Sequence, residues 1–113
     1  MGDYRALQNG SDIRGVALEG VAGEPVNLTE QAARELAAMF MSTVLPGHGY
    51  DGAIMITASH LPYNRNGLKF FTREGGLEHE DIEALTELAL GELPCGQNAP
   101  LRQTDLISDY ALH

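Results

Sequence analysis

The apolar run Ala53-Ile54-Met55-Ile56 opens directly into Thr57-Ala58-Ser59-His60-Leu61-Pro62-Tyr63-Asn64-Arg65-Asn66-Gly67-Leu68-Lys69, and no other feature constrains the chain as much. The run is too short for a helix, rich in β-favouring residues and closed by turn formers, so it reads as a buried strand ending in a polar loop. In open α/β sheets, ligands bind outside such strand ends. A serine, a histidine and a lysine delivered there mark a candidate site, and a hydroxyl held in that place can carry a phosphoryl group.

The 113 residues suffice for one small core but not for two full domains. With 16 acidic against 7 basic residues the formal charge is -9, which opposes nonspecific attraction to nucleic acid or to an anionic membrane. Neither is expected as a partner, and an anionic ligand needs local donors that work against the overall field. The single cysteine, Cys95, has no internal disulfide partner and reads as a loop thiol in Pro94-Cys95-Gly96. A reducing, cytoplasmic setting is the expectation, with a targeting segment trimmed before residue 1 left open. No apolar stretch approaches bilayer length, and Met1-Gly2-Asp3-Tyr4-Arg5 lacks both a signal-peptide core and a myristoylation signal.

Along the chain, residues 11–18 read as a strand or hairpin arm before a glycine-punctuated turn over 19–25. Thr29 or Asn27 can cap a helix running to about Thr43, with Ala33, Leu36, Ala37, Phe40, Met41 and Val44 as its apolar stripe and Pro46-Gly47 as its stop. Leu68–Thr72 reads as a strand, ended by the turn Arg73-Glu74-Gly75-Gly76. A second helix is expected from about Glu80 to Leu90, with Ile82, Leu85, Leu88 and Ala89 on one face and Glu78, Glu80 and Asp81 near its positive end. Residues 92–103 read as a proline- and glycine-bearing linker, and 104–112 as a short final helix. The fold class is α/β, a small mixed sheet packed with helices. One unit spans 1–113, divided into an opening strand and helix (1–46), the polar loop with its strand and helix (47–91), and the linker with its short helix (92–113).

The segment Thr57–Lys69 resembles the phosphoserine loop of the α-D-phosphohexomutases, the phosphoglucomutases and phosphomannomutases, whose pattern is Thr-Ala/Gly-Ser-His-Asn-Pro followed by Asn-Gly-x-Lys. Leu61 departs from it, standing where the pattern has Asn. Asn9-Gly10-Ser11-Asp12-Ile13-Arg14-Gly15 is similar to the family's opening strand with its Ile-Arg-Gly signature. Two motifs in the family's order are more specific than either alone. The resemblance implies a shortened version of the first of four domains: only Val44 to Asp51 bridges the first helix and the phosphoserine strand, where complete members carry another strand, a helix and a Gly-x-Asp-x-Arg motif. A splice form, a deletion or a divergent relative with a reduced sheet would each look like this.

By that resemblance Ser59 is the phosphoryl carrier, Arg14 binds phosphate oxygens, Lys69 moves a proton at the sugar hydroxyl and His60 orients the loop or serves that hydroxyl. The bland alternatives are a turn-capping serine, a surface ion pair for Arg14 and a solvent-facing strand lysine. Phosphoserine carries a charge of about -1.5 to -2, which calls for a cation nearby. Proton transfer by a lysine requires a depressed pKa. Asn64, Arg65 and Asn66-Gly67 read as turn chemistry that returns Lys69 toward Ser59, and Arg65 is an exposed arginine or a further phosphate ligand. His48, Asp51, His60 and His79 lack metal-ligand spacing, and Ser59 lacks a Gly-x-Ser-x-Gly elbow.

The implied reaction is phosphoryl transfer from Ser59 to a hexose phosphate, rotation of the bisphosphate, and return of the other phosphate to the serine. Mg2+ touches this chain through the Ser59 phosphate alone, and a hexose 1,6-bisphosphate acts as activator. The Asp-Gly-Asp-Gly-Asp-Arg metal loop and the sugar- and phosphate-recognition domains implied by the family are missing from the sequence, so the chain by itself is expected to be inactive or nearly so. The rival expectation is a noncatalytic module or truncated isoform that pairs with itself or with a mutase chain through an uncovered sheet face.

Overall fold

The computed structural model describes residues 2–49, 51–58 and 61–91. The reading of 92–113 as linker and short helix, and that of Cys95 as a loop thiol, fall outside them. In the described part the α/β class stands. Strands β1 (Gln8–Asn9) and β2 (Asp12–Val16) form a hairpin about Gly10, whose φ of 60° suits glycine. The first helix, α1 (Glu30–Met39), leads to strand β3 (Gly52–Ile56). Strand β4 (Arg65–Thr72), the short β5 (Gly75–Gly76) and helix α2 (His79–Leu88) follow.

The main sheet order is β1-β2-β4-β3, with β5 pairing the end of β4. Every pair is antiparallel, not mixed as expected. The reason is connection length: residues 57–64 are too few for the crossover that parallel neighbours need, so β4 folds back beside β3. Among the described residues one helical crossover, through α1, joins β2 to β3. These two run in the same direction but are separated by β4.

Alternation divides the sheet into two faces. Ile13, Leu68 and Phe70 enter one core with Ala32, Leu36 and Met39 of α1, Phe40 just beyond it, and Ile82 and Leu85 of α2. The Phe40 and Phe70 rings lie 5.0 Å apart in a tilted contact. Both helices therefore cover the same face, and Asp12, Arg14, Lys69 and Met55 lie on the other.

Thr29, not Asn27, caps α1, its hydroxyl accepting from the Ala32 amide at 3.0 Å. Asn27 instead accepts from the Val16 amide at 2.6 Å, pinning the start of the helix to the end of β2. The helix ends at Met39 rather than near Thr43: the chain widens into a π turn at Phe40–Val44 and tightens into a 3-10 turn at Leu45–His48. Pro46 and Gly47 lie inside that last turn, and Gly49, at φ 71°, ends it. The change of pitch after Met39 rotates Met41 out of the expected stripe, leaving it exposed. Helix α2 is shifted slightly from the expected span, with a reciprocal Glu78–Asp81 capping box. Its Leu88 is exposed, while Thr86 is buried in the inward-facing row.

Strand β3 corrects the expectation of a buried strand. It pairs β4 alone and is an edge, with Met55 52% and Ile56 69% exposed. Of its side chains only Ile54 packs against the core. Apolar sequence signalled a strand here but not its cover.

Candidate functional site

Three adjacent strands build the site. Arg14 on β2 stands opposite Gly67 on β4, and Lys69 on β4 opposite Met55 on β3. With Asp12 and Thr57 they line an open pocket of about 260 Å³ on the face away from the helices. Arg14 Nη2 donates to Asp12 Oδ2 at 3.3 Å, and Lys69 Nζ lies 3.6 Å from Asp12 Oδ1. Asp12 is only 8% exposed, and its Oδ1 accepts no hydrogen bond. Two cations against one carboxylate leave the cluster locally positive in a strongly acidic chain. Both cationic side chains remain partly open to solvent, which is the arrangement an anion needs in order to approach.

Gly67 makes this closeness sterically feasible. A Cβ there would sit 2.9 Å from the Ile13 carbonyl oxygen, 3.2 Å from Arg14 Cγ and 3.3 Å from the Thr57 carbonyl oxygen. The expectation that Arg65 and Asn66-Gly67 form a turn is therefore corrected: β4 begins at Arg65, and the glycine is used for close approach rather than for a left-handed backbone. Turn formation falls earlier, where the Leu61 amide donates to the Ala58 carbonyl at 2.8 Å and the Arg65 amide to the Pro62 carbonyl at 3.0 Å.

Asn64 is buried, and its carbonyl accepts from the Ala17 and Leu18 amides. Its side-chain amide and both the Nε and Nη2 of Arg65 converge on Glu24 Oε1 at 3.2, 3.2 and 2.8 Å. The Asn64 and Arg65 donors, in that order, hold the Glu24 carboxyl below its ordinary range. Arg65 is thus committed to Glu24 and does not line the pocket.

The structure brings together Arg14 and Lys69 of the expected site residues, at the end of β3 from which the polar loop leaves; the Thr57 amide there donates to the Gly67 carbonyl at 3.0 Å. Ser59 and His60 lie outside the described residues. Sequence reasoning missed Asp12 and Glu24. Asp12 sat inside the quoted opening motif, and the signal available was its spacing of two from Arg14, which places both on one strand face. Glu24, in a glycine-rich turn, carried no local signal. Among the described residues no three His, Cys, Asp or Glu side chains are grouped to hold a metal ion. The His48 ring instead pairs with Glu74, and His79 faces Gln8 and Glu83.

Residues 41–91 match the family described as phosphoglucomutase/phosphomannomutase, alpha/beta/alpha domain I. Over that segment the chain is similar to domain I of the phosphohexomutase family. The match takes in β3, the polar loop, β4 and α2, and leaves Asn9–Gly15 outside it. Among curated proteins, a phosphoglucosamine mutase of Vibrio vulnificus is 40% identical over 62 residues, 54% of this chain and 14% of that protein. One from Actinobacillus succinogenes is 37% identical over 62 residues, again 54% and 14%. A third, from Caldicellulosiruptor saccharolyticus, is 46% identical over 44 residues, 39% of this chain and 10% of that protein. The chain therefore spans no more than 14% of the length of these relatives. No solved structure matches it.

Proposed function

We propose that the chain carries the nucleophile part of a phosphohexomutase, with Ser59 as phosphoryl carrier and Arg14 and Lys69 as its local cations. The supporting observation is the Arg14–Lys69 pocket at the end of β3, beside the start of the polar loop. In the forward step the Ser59 Oγ–phosphorus bond breaks, a sugar hydroxyl oxygen takes the phosphoryl group, and the hydroxyl proton passes to the released Ser59 Oγ by way of Lys69. The family resemblance gives this relay to Lys69, which gives one proton and takes another and so starts and ends the step as an ammonium. His60 orients the loop or serves that hydroxyl. Arg14 offsets the charge on the phosphoryl oxygens. The sugar is a hexose phosphate, glucosamine phosphate being the choice the similar curated proteins favour by name, and a hexose 1,6-bisphosphate primes the serine.

Magnesium does not fit the described residues: the pocket's one carboxylate, Asp12, already faces two cations. In the family resemblance the ion, the sugar-reading groups and the distal phosphate grip come from other domains, and we propose that these 113 residues tested by themselves give no meaningful turnover. The test is incubation with a hexose 1,6-bisphosphate and magnesium, alone and with a chain supplying the remaining domains, followed by mass spectrometry. Phosphate at Ser59 in the complemented sample is expected; phosphate only at other residues would sink the assignment. Turnover by the isolated chain that Ser59→Ala abolishes would refute the claim of incompleteness.

The exposed edge of β3 favours a second, noncatalytic reading, in which the chain keeps the fold and pairs with itself or with a mutase chain.

A further inference from the structure

A buried carboxylate, Asp12, lies between the two pocket cations. Asp12 is nine-tenths buried, yet Oδ2 receives a long 3.3 Å bond from Arg14 and Oδ1 receives none, with Lys69 Nζ stopping at 3.6 Å. A structural ion pair buried to that degree would be expected to close up, because each unmade hydrogen bond of a buried charge is costly. Here both cations stand at arm's length from the carboxylate and keep their outer sides open to the pocket.

We propose that Asp12 is a positioning residue that acts as an internal counter-ion: it holds Arg14 and Lys69 in place while the pocket contains no anion, and releases part of its hold when a phosphoryl dianion enters between them. This rests on the reading of the pocket as a phosphate site. The cations are pre-oriented without repelling each other, and the carboxylate, fixed on β2, sets how strongly they bind. Its own negative charge opposes the entering dianion, so the site holds phosphate loosely enough to pass it on.

The probe is inorganic phosphate, titrated into the 113-residue chain and read by NMR. In the unaltered protein the Asp12 carboxylate carbon and the Arg14 side-chain resonances should move together with one saturation curve. An Asp12 signal that stays fixed while Arg14 shifts would overturn the proposal, since a purely structural carboxylate has no reason to respond. Asp12→Asn keeps the shape and removes the charge, and should tighten phosphate binding about five- to tenfold. Weaker or unchanged binding in a variant with an unaltered circular dichroism spectrum would also overturn it. Arg14→Gln and Lys69→Gln test the underlying pocket separately. If they bind phosphate as well as the unaltered chain does, the pocket reading fails; if they lose binding while Asp12→Asn gains none, the pocket stands and the role of Asp12 falls. Absence of phosphate binding in both the unaltered chain and Asp12→Asn would overturn both. A chain bearing phosphoserine at position 59 separates two sources of the dianion. Shifts at Asp12 already present without added phosphate would identify the protein's own phosphoryl group as the occupant, and shifts that still require added phosphate would identify a free ligand.

Discussion

At the residue scale the pocket depends on an atom that is missing. Any side chain at Gly67 would press on the Ile13 and Thr57 carbonyl oxygens and on the Arg14 stem, and backbone cannot yield as a flexible side chain does. Gly67→Ala should destabilise the fold by about 1 to 3 kcal/mol in urea unfolding, with a shift of the Arg14 side-chain resonances. An unchanged midpoint would show that β2 and β4 have slack at this register. Glu24 gives a pH signature. Its folded pKa is depressed below the ordinary 4.5 by the Asn64 and Arg65 donors, so its contribution is fully present above about pH 4.5 and is lost as pH falls through the depressed value. Amide protection at Ala17 and Leu18, which donate to the Asn64 carbonyl, should decline over that acid range. In Glu24→Gln that part of the decline should vanish; an identical profile in the two proteins would show that the clamp does not secure this loop.

At the scale of elements, the helices are defined by their beginnings more than by their ends. Thr29 satisfies an otherwise orphan amide of α1, so Thr29→Ala should cost about 1 kcal/mol, with Thr29→Ser restoring most of it. Equal urea midpoints for all three proteins would mean that α1 is held by tertiary packing alone. Its far end has no such signal, and the chain passes through two changes of helical pitch before Gly49. That passage carries Leu45 onto Gly52, where a Cβ would lie 2.3 Å from a Leu45 methyl group, which fixes how the bridge joins β3.

At the scale of the whole molecule, the sheet has helices on one face and an open edge at β3. Five uncharged residues with no lysine or proline form that edge, which lacks the usual protection against pairing with another chain. Sedimentation velocity should show self-association at micromolar concentrations, and Ile56→Lys, at a position 69% exposed, should suppress it without lowering stability. A compact monomer at every concentration would remove the physical basis for the pairing reading. Local chemistry decided what the sequence could specify alone. A cap at Thr29 or Asn27, the apolar-stripe positions Leu36 and Ile82 and the strand before the polar loop were legible there, because capping and periodicity act over a few residues, whereas Arg14 and Lys69 were singled out by the motif resemblance. Tertiary structure alone decided that β4 lies between β2 and β3, that β3 is bare, that Gly67 serves close approach, and that Asp12 and Glu24 hold the cations and the loop. Each of these depends on which distant segments meet, and such meetings leave no pattern within a local window of sequence.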